Sequence, residues 1–397
     1  MEQLLRRLLL PLDYLLLAIS YLFPRNRKIW CFGSKFGGNA KYLFIYLNSR
    51  EKQEGEEYVW IGDDDVERVR ELGFKAYRRW SLKGVWYSLR ADAYLYNSYP
   101  SNVNLYTFGR AKLVNLWHGV ALKCIDRQIK VGPMVKIYQS KGLINELRYL
   151  NFRVRPNVVL STSPLVTNIF SEAFGVPKSH CVEGVYPRCD LFTIPISKVD
   201  AFVERYENEA TMALIRLIKQ YDYCYVYMPT FRDSGKDFLH DCGFDFEQIN
   251  GLMKKRNRVF VLKLHPDSKI QLHKEYSNII LVDKDVDIYP VLPHSNCLVT
   301  DFSSIYFDYL LMSDKQIILF VPDFKEYISK SRELLFEYDD VMKGKKAETF
   351  LQLKALVDED NPYFVIDGLD KVKKQFWDYK YSTMDELVKA IKSKVNE

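Results

Sequence analysis

The stretch Val299-Thr300-Asp301-Phe302-Ser303-Ser304-Ile305-Tyr306-Phe307-Asp308-Tyr309-Leu310 decides how the chain reads. A short apolar run breaks into an acid and two serines and resumes at helical spacing, which predicts a strand, a turn and a helix over 303–312. A helix start leaves backbone N–H groups without intrahelical partners and carries the positive end of the helix dipole, so it favours an anion, a phosphate above all. Ser303 and Ser304 serve there either as an N-cap, the commoner use of serine before a helix, or as hydroxyl donors to that anion.

The same alternation recurs on both sides of this segment. Apolar runs predict strands over 29–33, 58–62, 93–97, 113–117 and 158–162, and again over 224–228, 259–264, 279–282, 297–300 and 316–321. Helical patterns lie between them, for example over 41–48, 66–72, 165–174 and 202–219. Strands alternating with helices imply parallel sheets covered on both faces. A chain of 397 residues exceeds one hydrophobic core. With Ile194-Pro195-Ile196-Ser197 as a linker, the expected organisation is an N-terminal segment 1–24, a first α/β domain 25–195 and a second 196–397.

Open parallel sheets bind ligands outside the carboxyl ends of their strands. His118-Gly119 follows the strand ending at Trp117, and Pro229-Thr230-Phe231-Arg232-Asp233 follows Met228. His265-Pro266 follows Leu264, and the Thr300 to Ser304 turn follows Val299. Each has a plain alternative. His118 suits a loop, His265 is kept extended by the proline after it, and Arg232 with Asp233 suits a surface ion pair. Gly62-Asp63-Asp64-Asp65 reads as an acidic loop capping the helix at Val66 rather than a metal site. The argument lies in convergence, because separate strand ends deliver complementary chemistry. A histidine titrating near neutrality accepts a proton from an attacking hydroxyl. A guanidinium and helix-start N–H groups stabilise charge on phosphate oxygens. No Walker, kinase, G-x-S-x-G, HExxH or GxGxxG signature occurs, which excludes the common NTPases, hydrolases and dehydrogenases.

Composition adds limits. Net charge is +6, a mild surplus that fits an anionic substrate or an anionic membrane surface. No cluster of basic and aromatic residues marks a nucleic-acid site. Seven cysteines at 31, 124, 181, 189, 224, 242 and 297 form no CxxC pair and no zinc spacing, as in a reducing compartment. Residues 4–23 are the most hydrophobic stretch, but Pro11 and Asp13 interrupt a run already short of the roughly 20 apolar residues a spanning helix needs. Arg25, Arg27 and Lys28 follow it, and no small-residue cleavage site does. The segment reads as an amphipathic helix lying in a membrane interface or, in the plainer alternative, as a packing helix of the first domain.

Five pieces in order carry a family resemblance: Trp117-His118-Gly119-Val120-Ala121-Leu122-Lys123, Gly184-Val185-Tyr186-Pro187-Arg188-Cys189-Asp190, Met228-Pro229-Thr230-Phe231-Arg232-Asp233, Leu264-His265-Pro266 and Thr300-Asp301-Phe302-Ser303-Ser304 with Phe307-Asp308-Tyr309. Together with Gly38-Asn39-Ala40-Lys41-Tyr42-Leu43, they resemble the CDP-glycerol glycerophosphotransferase family of teichoic-acid and capsule synthesis. The resemblance implies a GT-B fold of two Rossmann-like domains facing a cleft, acceptor side first and nucleotide side second. The implied reaction moves glycerol phosphate, or another polyol phosphate, from a CDP-alditol to a hydroxyl of a lipid-linked or glycan acceptor and releases CMP. No cofactor is implied, and the enzyme would sit peripherally on the cytoplasmic face of the membrane.

By the same resemblance His118 is the general base, and His265, Arg232, Ser303 and Ser304 lie at the donor pyrophosphate. Thr300 and Asp301 shape that turn, and Thr230, Asp233, Arg188 and Arg332 complete the candidate set. Val120 and Ala121 stand where the family often has threonine and proline, Cys189 stands for asparagine, and Glu333 replaces the glycine of an Arg-Gly-aromatic stretch. The short chain suggests a primase or transition enzyme rather than a long-chain polymerase. A GT-B glycosyltransferase using a sugar nucleotide and a noncatalytic polyanion-binding module are the other readings.

Overall fold

Runs of β-branched and aromatic residues bounded by polar turns form thirteen strands in the computed structural model, which describes residues 2–132, 134–232, 238–265, 268, 270, 272, 274–330 and 333–397. They are β1 Asn26–Gly33, β2 Glu57–Gly62, β3 Ala76–Arg78, β4 Ala91–Tyr96, β5 Lys112–Asn115, β6 Val158–Ser161 and β7 Cys181–Glu183, then β8 Tyr223–Met228, β9 Arg258–Leu262, β10 Ile279–Leu281, β11 Cys297–Thr300, β12 Gln316–Phe320 and β13 Lys345–Ala347. The first seven form one sheet in the order β3-β2-β1-β4-β5-β6-β7, and the rest form another in the order β10-β9-β8-β11-β12-β13. Every pairing is parallel. Both are therefore doubly wound α/β sheets, as the alternation predicts.

All ten expected strands are present, with ends shifted by up to three residues. The three not expected, β3, β7 and β13, are three residues each and lie at sheet edges, too short to show a period. The central strands read as continuous apolar runs because both faces are covered. Cys31, Val59, Ile61 and Tyr94 are buried in the first core, and Tyr227, Phe260, Leu262, Val299, Ile318 and Phe320 in the second.

Two helices differ from expectation. The stretch 202–219 is two helices, Ile196–Tyr206 and Glu209–Ile218, because Asn208 interrupts it and caps the second by accepting the Thr211 N–H at 2.9 Å. Ile196 thus opens a helix rather than lying in a free linker. The helix expected over 303–312 is only Ile305–Tyr309, followed by tight turns in which the N–H of Leu311 reaches the Asp308 carbonyl.

The chain forms two units: Met1–His118, Ile125–Arg188 and Trp377–Glu397 in one, Gly119–Cys124 and Cys189–Phe376 in the other. A single cut near 195 therefore misses two exchanges. The end of the chain belongs to the first unit because the Val185 N–H donates to the Tyr381 carbonyl at 3.0 Å and Trp377 meets Tyr186 edge-on at 5.5 Å. The helix Met384–Asn396 adds ion pairs of Lys392 with Glu56 and of Asp385 with Arg50. Residues 119–124 belong to the second unit because Leu122 to Cys124 pair antiparallel with Glu333 to Leu335.

The first helix, Glu2–Ser20, runs through Pro11. Leu17 and Ser20 are buried, whereas Leu12, Leu15 and Ile19 on another stripe face solvent. Among the described residues no helix is long and apolar enough to cross a membrane.

Candidate active site

In the first sheet the connections reverse direction between β1 and β4, the crevice where such sheets take ligands. Asn97, just past β4, fills it. Its Nδ2 donates to Ser34 Oγ at 3.0 Å and to the Gly37 carbonyl at 2.8 Å, and its Oδ1 accepts the Ala40 N–H at 2.8 Å. Gly38 has φ +60 and a side chain there would collide with the Asn97 amide, so glycine is required for this close approach. These bonds fix the chain on which His118 leans.

His118 follows β5 in a strained turn. Trp117 holds φ +50, which is costly for a bulky residue, and its buried ring is wedged edge-on against Phe170 and Phe174. Asn115 Oδ1 accepts the Trp117 N–H at 2.9 Å, and Asn39 Nδ2 donates to the carbonyls of Leu116 and Trp117. Arg188, 3% exposed, donates from Nη1 to the His118 carbonyl at 2.8 Å, while its N–H goes to Asn39 Oδ1 at 3.3 Å. The backbone is clamped and the imidazole is left exposed. Its Nδ1 lies 3.1 Å from the Asn97 carbonyl and 3.3 Å from Ser98 Oγ. A carbonyl only accepts, so Nδ1 carries the proton and Nε2 keeps its lone pair. That tautomer is a base.

Beside this loop lies a buried carboxylate. Asp126, with φ +45, accepts both Tyr99 Oη at 3.0 Å and Tyr138 Oη at 2.9 Å on one oxygen. Burial pushes its pKa from 3.8 up to about 6, against the two phenol hydrogen bonds that pull it down.

The second sheet reverses between β8 and β11, where Thr300 is in register with Met228 and its Oγ1 donates to the Met228 carbonyl at 2.9 Å. Asp301 is wholly buried and ties the two strand ends together. Its Oδ1 accepts the N–H groups of Thr230 at 2.9 Å and Phe302 at 2.6 Å, and its Oδ2 lies 2.8 Å from Arg232 Nη2. Asp323 takes Nε and Nη2 of the same guanidinium at 2.6 and 2.9 Å, and the Thr230 carbonyl takes Nη1 at 2.7 Å. Arg232 is 6% exposed and lies over the rings of Phe238 and Tyr327. Burial disfavours its charge, but Asp301 and Asp323 outweigh burial and raise its pKa.

The turn itself is pinned by Phe302, stacked on Tyr327 at 3.9 Å and meeting Tyr338 edge-on, while Tyr338 Oη donates to the Asp301 carbonyl at 2.9 Å. Ser303 and Ser304 are thereby carried partly exposed, and Ser304 sits at the N-cap with no side-chain cap bond. The Thr230 hydroxyl is buried without a partner among the described residues. His265, past β9, is exposed with its ring 5.1 Å from that of Phe231.

The structure thus gathers Thr230, Arg232, His265, Thr300, Asp301, Ser303 and Ser304 at the carboxyl edge of the second sheet, and His118 and Arg188 at that of the first. Two of these residues are deeply held. Arg232 gives four of its five N–H donors to two carboxylates and a carbonyl, which ties it firmly to the turn. Arg188 is likewise buried and positions the His118 backbone. Asp233 and Arg332 lie outside the described residues. Sequence reasoning missed Asn97, Asn39 and Asp323. Asn97 was legible as a polar residue ending a strand; Asp323, 91 residues from Arg232, carried no local signal.

Two doubly wound parallel sheets, with a histidine past β5 of the first and paired serines at the switch point of the second, make this an α/β protein whose candidate residues lie at the carboxyl ends of its strands. The chain belongs to the CDP-Glycerol:Poly(glycerophosphate) glycerophosphotransferase family, which it matches over residues 16–390. It is 24% identical over 370 residues to a teichoic acid poly(glycerol phosphate) polymerase of Bacillus spizizenii, covering 87% of this chain and 86% of that one. It is 26% identical over 324 residues to a teichoic acid glycerol-phosphate transferase of Staphylococcus aureus, covering 79% and 77%. A structure of the wall teichoic acid polymerase TagF soaked with CDPG shares the fold, with a TM-score of 0.69, 20% identity and coverage of 94% of this chain and 89% of that one.

Proposed function

We propose that the protein transfers glycerol phosphate, or a related alditol phosphate, from a CDP-alditol to a hydroxyl of a lipid-linked or glycan acceptor at the cytoplasmic membrane surface, adding one or a few units. The observation that carries this reading is His118: exposed, clamped through its backbone, and held by the Asn97 carbonyl in the tautomer whose Nε2 is a base. In the proposed step Nε2 takes the proton of the acceptor hydroxyl. The acceptor oxygen attacks the phosphorus that bears the alditol, and the bond from that phosphorus to the bridging oxygen breaks. The electron pair leaves with CMP. Ser303, Ser304 and the Thr230 hydroxyl donate to phosphate oxygens, and His265 supplies a further donor to the departing charge. Arg232, Asp301 and Asp323 hold those hydroxyls in place, which is what preorganisation requires.

Family membership and the relatives' names support a glycerol phosphate donor. The test is CMP release from a panel of CDP-alditols with a lipid-linked or glycosyl acceptor. CMP release that depends on both donor and acceptor is expected. Release from none of the panel, with hexose transferred from a sugar nucleotide instead, would replace this reading with that of a glycosyltransferase.

A further inference from the structure

We infer that Tyr99 and Asp126 are positioning residues for His118: a phenol and a buried carboxylate clamp the short stretch of chain on which the imidazole rests. The inference rests on the catalytic reading above and adds two residues to it. The chain leaves the first unit after His118 and returns to it at Ile125. Both ends of that excursion are fastened to residues 97–99. At one end His118 Nδ1 lies 3.1 Å from the Asn97 carbonyl and 3.3 Å from Ser98 Oγ. At the other, Asp126 Oδ1 accepts the Tyr99 hydroxyl at 3.0 Å.

The stretch needs such a hold because it lies past β4, beyond the last sheet pairing at Tyr96. Side chains do there what the ladder does inside the sheet. Asn102 Oδ1 accepts the N–H groups of Ser98 at 3.0 Å and Tyr99 at 3.4 Å, and Asn115 Nδ2 donates to the Ser98 carbonyl at 3.2 Å. The Tyr99 ring meets Phe152 edge-on at 4.8 Å, and its hydroxyl lies 2.8 Å from that of Tyr138. Tyr138 donates to the same carboxylate oxygen at 2.9 Å. Burial and the Asp126 charge both raise the Tyr99 pKa, so the phenol keeps its proton and remains a donor.

A purely structural cluster would have a simpler make-up. Asp126 is 6% exposed, and a buried carboxylate needs donors. Tyr138 supplies one from 12 residues on, but Tyr99 comes from 27 residues back and is the direct neighbour of the serine that touches the imidazole. Asp126 also holds φ +45, a conformation that most side chains avoid and that Asp and Asn tolerate. Strain and burial thus meet at the point that fixes the loop under the base. Misplacing a reacting group by about 1 Å costs up to about a hundredfold in rate, so a clamp next to the imidazole's support acts on turnover rather than on substrate affinity.

The test combines CMP release with nuclear magnetic resonance of isotope-labelled histidine nitrogens in the full-length protein, where the His118 signal is the one missing from His118→Ala. Tyr99→Phe removes the hydroxyl and keeps the ring. Asp126→Gly removes the carboxylate and takes φ +45 without strain. Each is expected to lower kcat by about tenfold with KM for the donor within about twofold, and to move His118 from the Nδ1–H form toward mixed tautomers. Asp126→Asn keeps an acceptor oxygen in the same place and should recover most of the lost kcat. If Asp126→Gly does not fold, Tyr99→Phe decides alone. An unmoved His118 signal in Tyr99→Phe would overturn the inference whatever the rate does, as would a rise in KM alone or an Asp126→Asn protein no faster than Asp126→Gly. A His118 signal that moves in a protein releasing no CMP would support the clamp and reject the catalytic reading.

Discussion

The two sheets share a strand order over their first six strands, yet their switch points are built on opposite plans. In the first, the chemistry is exposed and the support is mostly amide: Asn39, Asn97 and backbone carbonyls, with the single buried guanidinium of Arg188, hold a histidine in solvent. In the second, the charges are buried and the chemistry is left to hydroxyls: Asp301, Arg232 and Asp323 neutralise one another beneath a turn that carries Ser303 and Ser304. The difference teaches that a charged residue at a strand end is not by itself a ligand contact. A proton acceptor needs access to solvent and substrate, whereas a turn that must present hydroxyls needs a rigid underside.

Breaking the buried plan should have the largest effect on the fold. Asp301→Ala leaves Arg232 with Asp323 as its one carboxylate partner and removes the acceptor of two N–H groups, so denaturant unfolding should show a loss of about 3 to 5 kcal/mol. A loss below about 1 kcal/mol would mean that the ion pairs are not the frame of the turn.

The amide plan should break more gently in stability and more visibly in turnover. Asn97→Ala removes three hydrogen bonds and loosens the carbonyl that holds His118 Nδ1. Stability should fall by about 2 kcal/mol, and kcat should fall by roughly tenfold or more with KM for the donor little changed. An effect on KM alone would assign Asn97 to donor binding instead.

Ser304→Ala sharpens the comparison from the other side. A partly exposed serine that makes no cap bond is worth little to the fold, so stability should stay within about 0.5 kcal/mol. Loss of a hydroxyl donor to a charged phosphate should still lower kcat/KM by about tenfold. Equal activity would return Ser304 to the role of a silent helix-start residue.

The test that depends on pH concerns Asp126, the buried carboxylate of the first unit. Its folded pKa of about 6 lies above the ordinary 3.8, so between these values the folded state binds more protons than the unfolded one. Stability contributed by the protonated group is therefore present below the lower value and lost as pH rises through about 6. Asp126→Asn cannot ionise, so its stability relative to wild type should rise across that window and level off above it. A difference that is flat with pH would mean that the carboxylate is already charged throughout.

Much of this was legible in the chain. Ten of the thirteen strands announce themselves as apolar runs between polar turns, and the rule that ligands lie at carboxyl ends found His118, His265 and the Thr300 to Ser304 turn. What stayed hidden is contact at long range. Whether Arg232 meets a phosphate or a carboxylate depends on Asp323 across the fold, and no local pattern encodes that pair. The helix after Ser304 ends at Tyr309, whose buried hydroxyl pairs with that of Ser295 at 2.9 Å, and apolar spacing alone does not show a stop. The return of Trp377–Glu397 to the first unit is invisible for the same reason.

The central claim is that the exposed His118 takes the acceptor proton through Nε2. CMP release from CDP-glycerol, measured with saturating acceptor for wild type and His118→Ala, tests it most directly. A fall in kcat of about a thousandfold is predicted, with thermal unfolding unchanged because the imidazole is exposed. Turnover by His118→Ala at the wild-type rate would contradict the assignment.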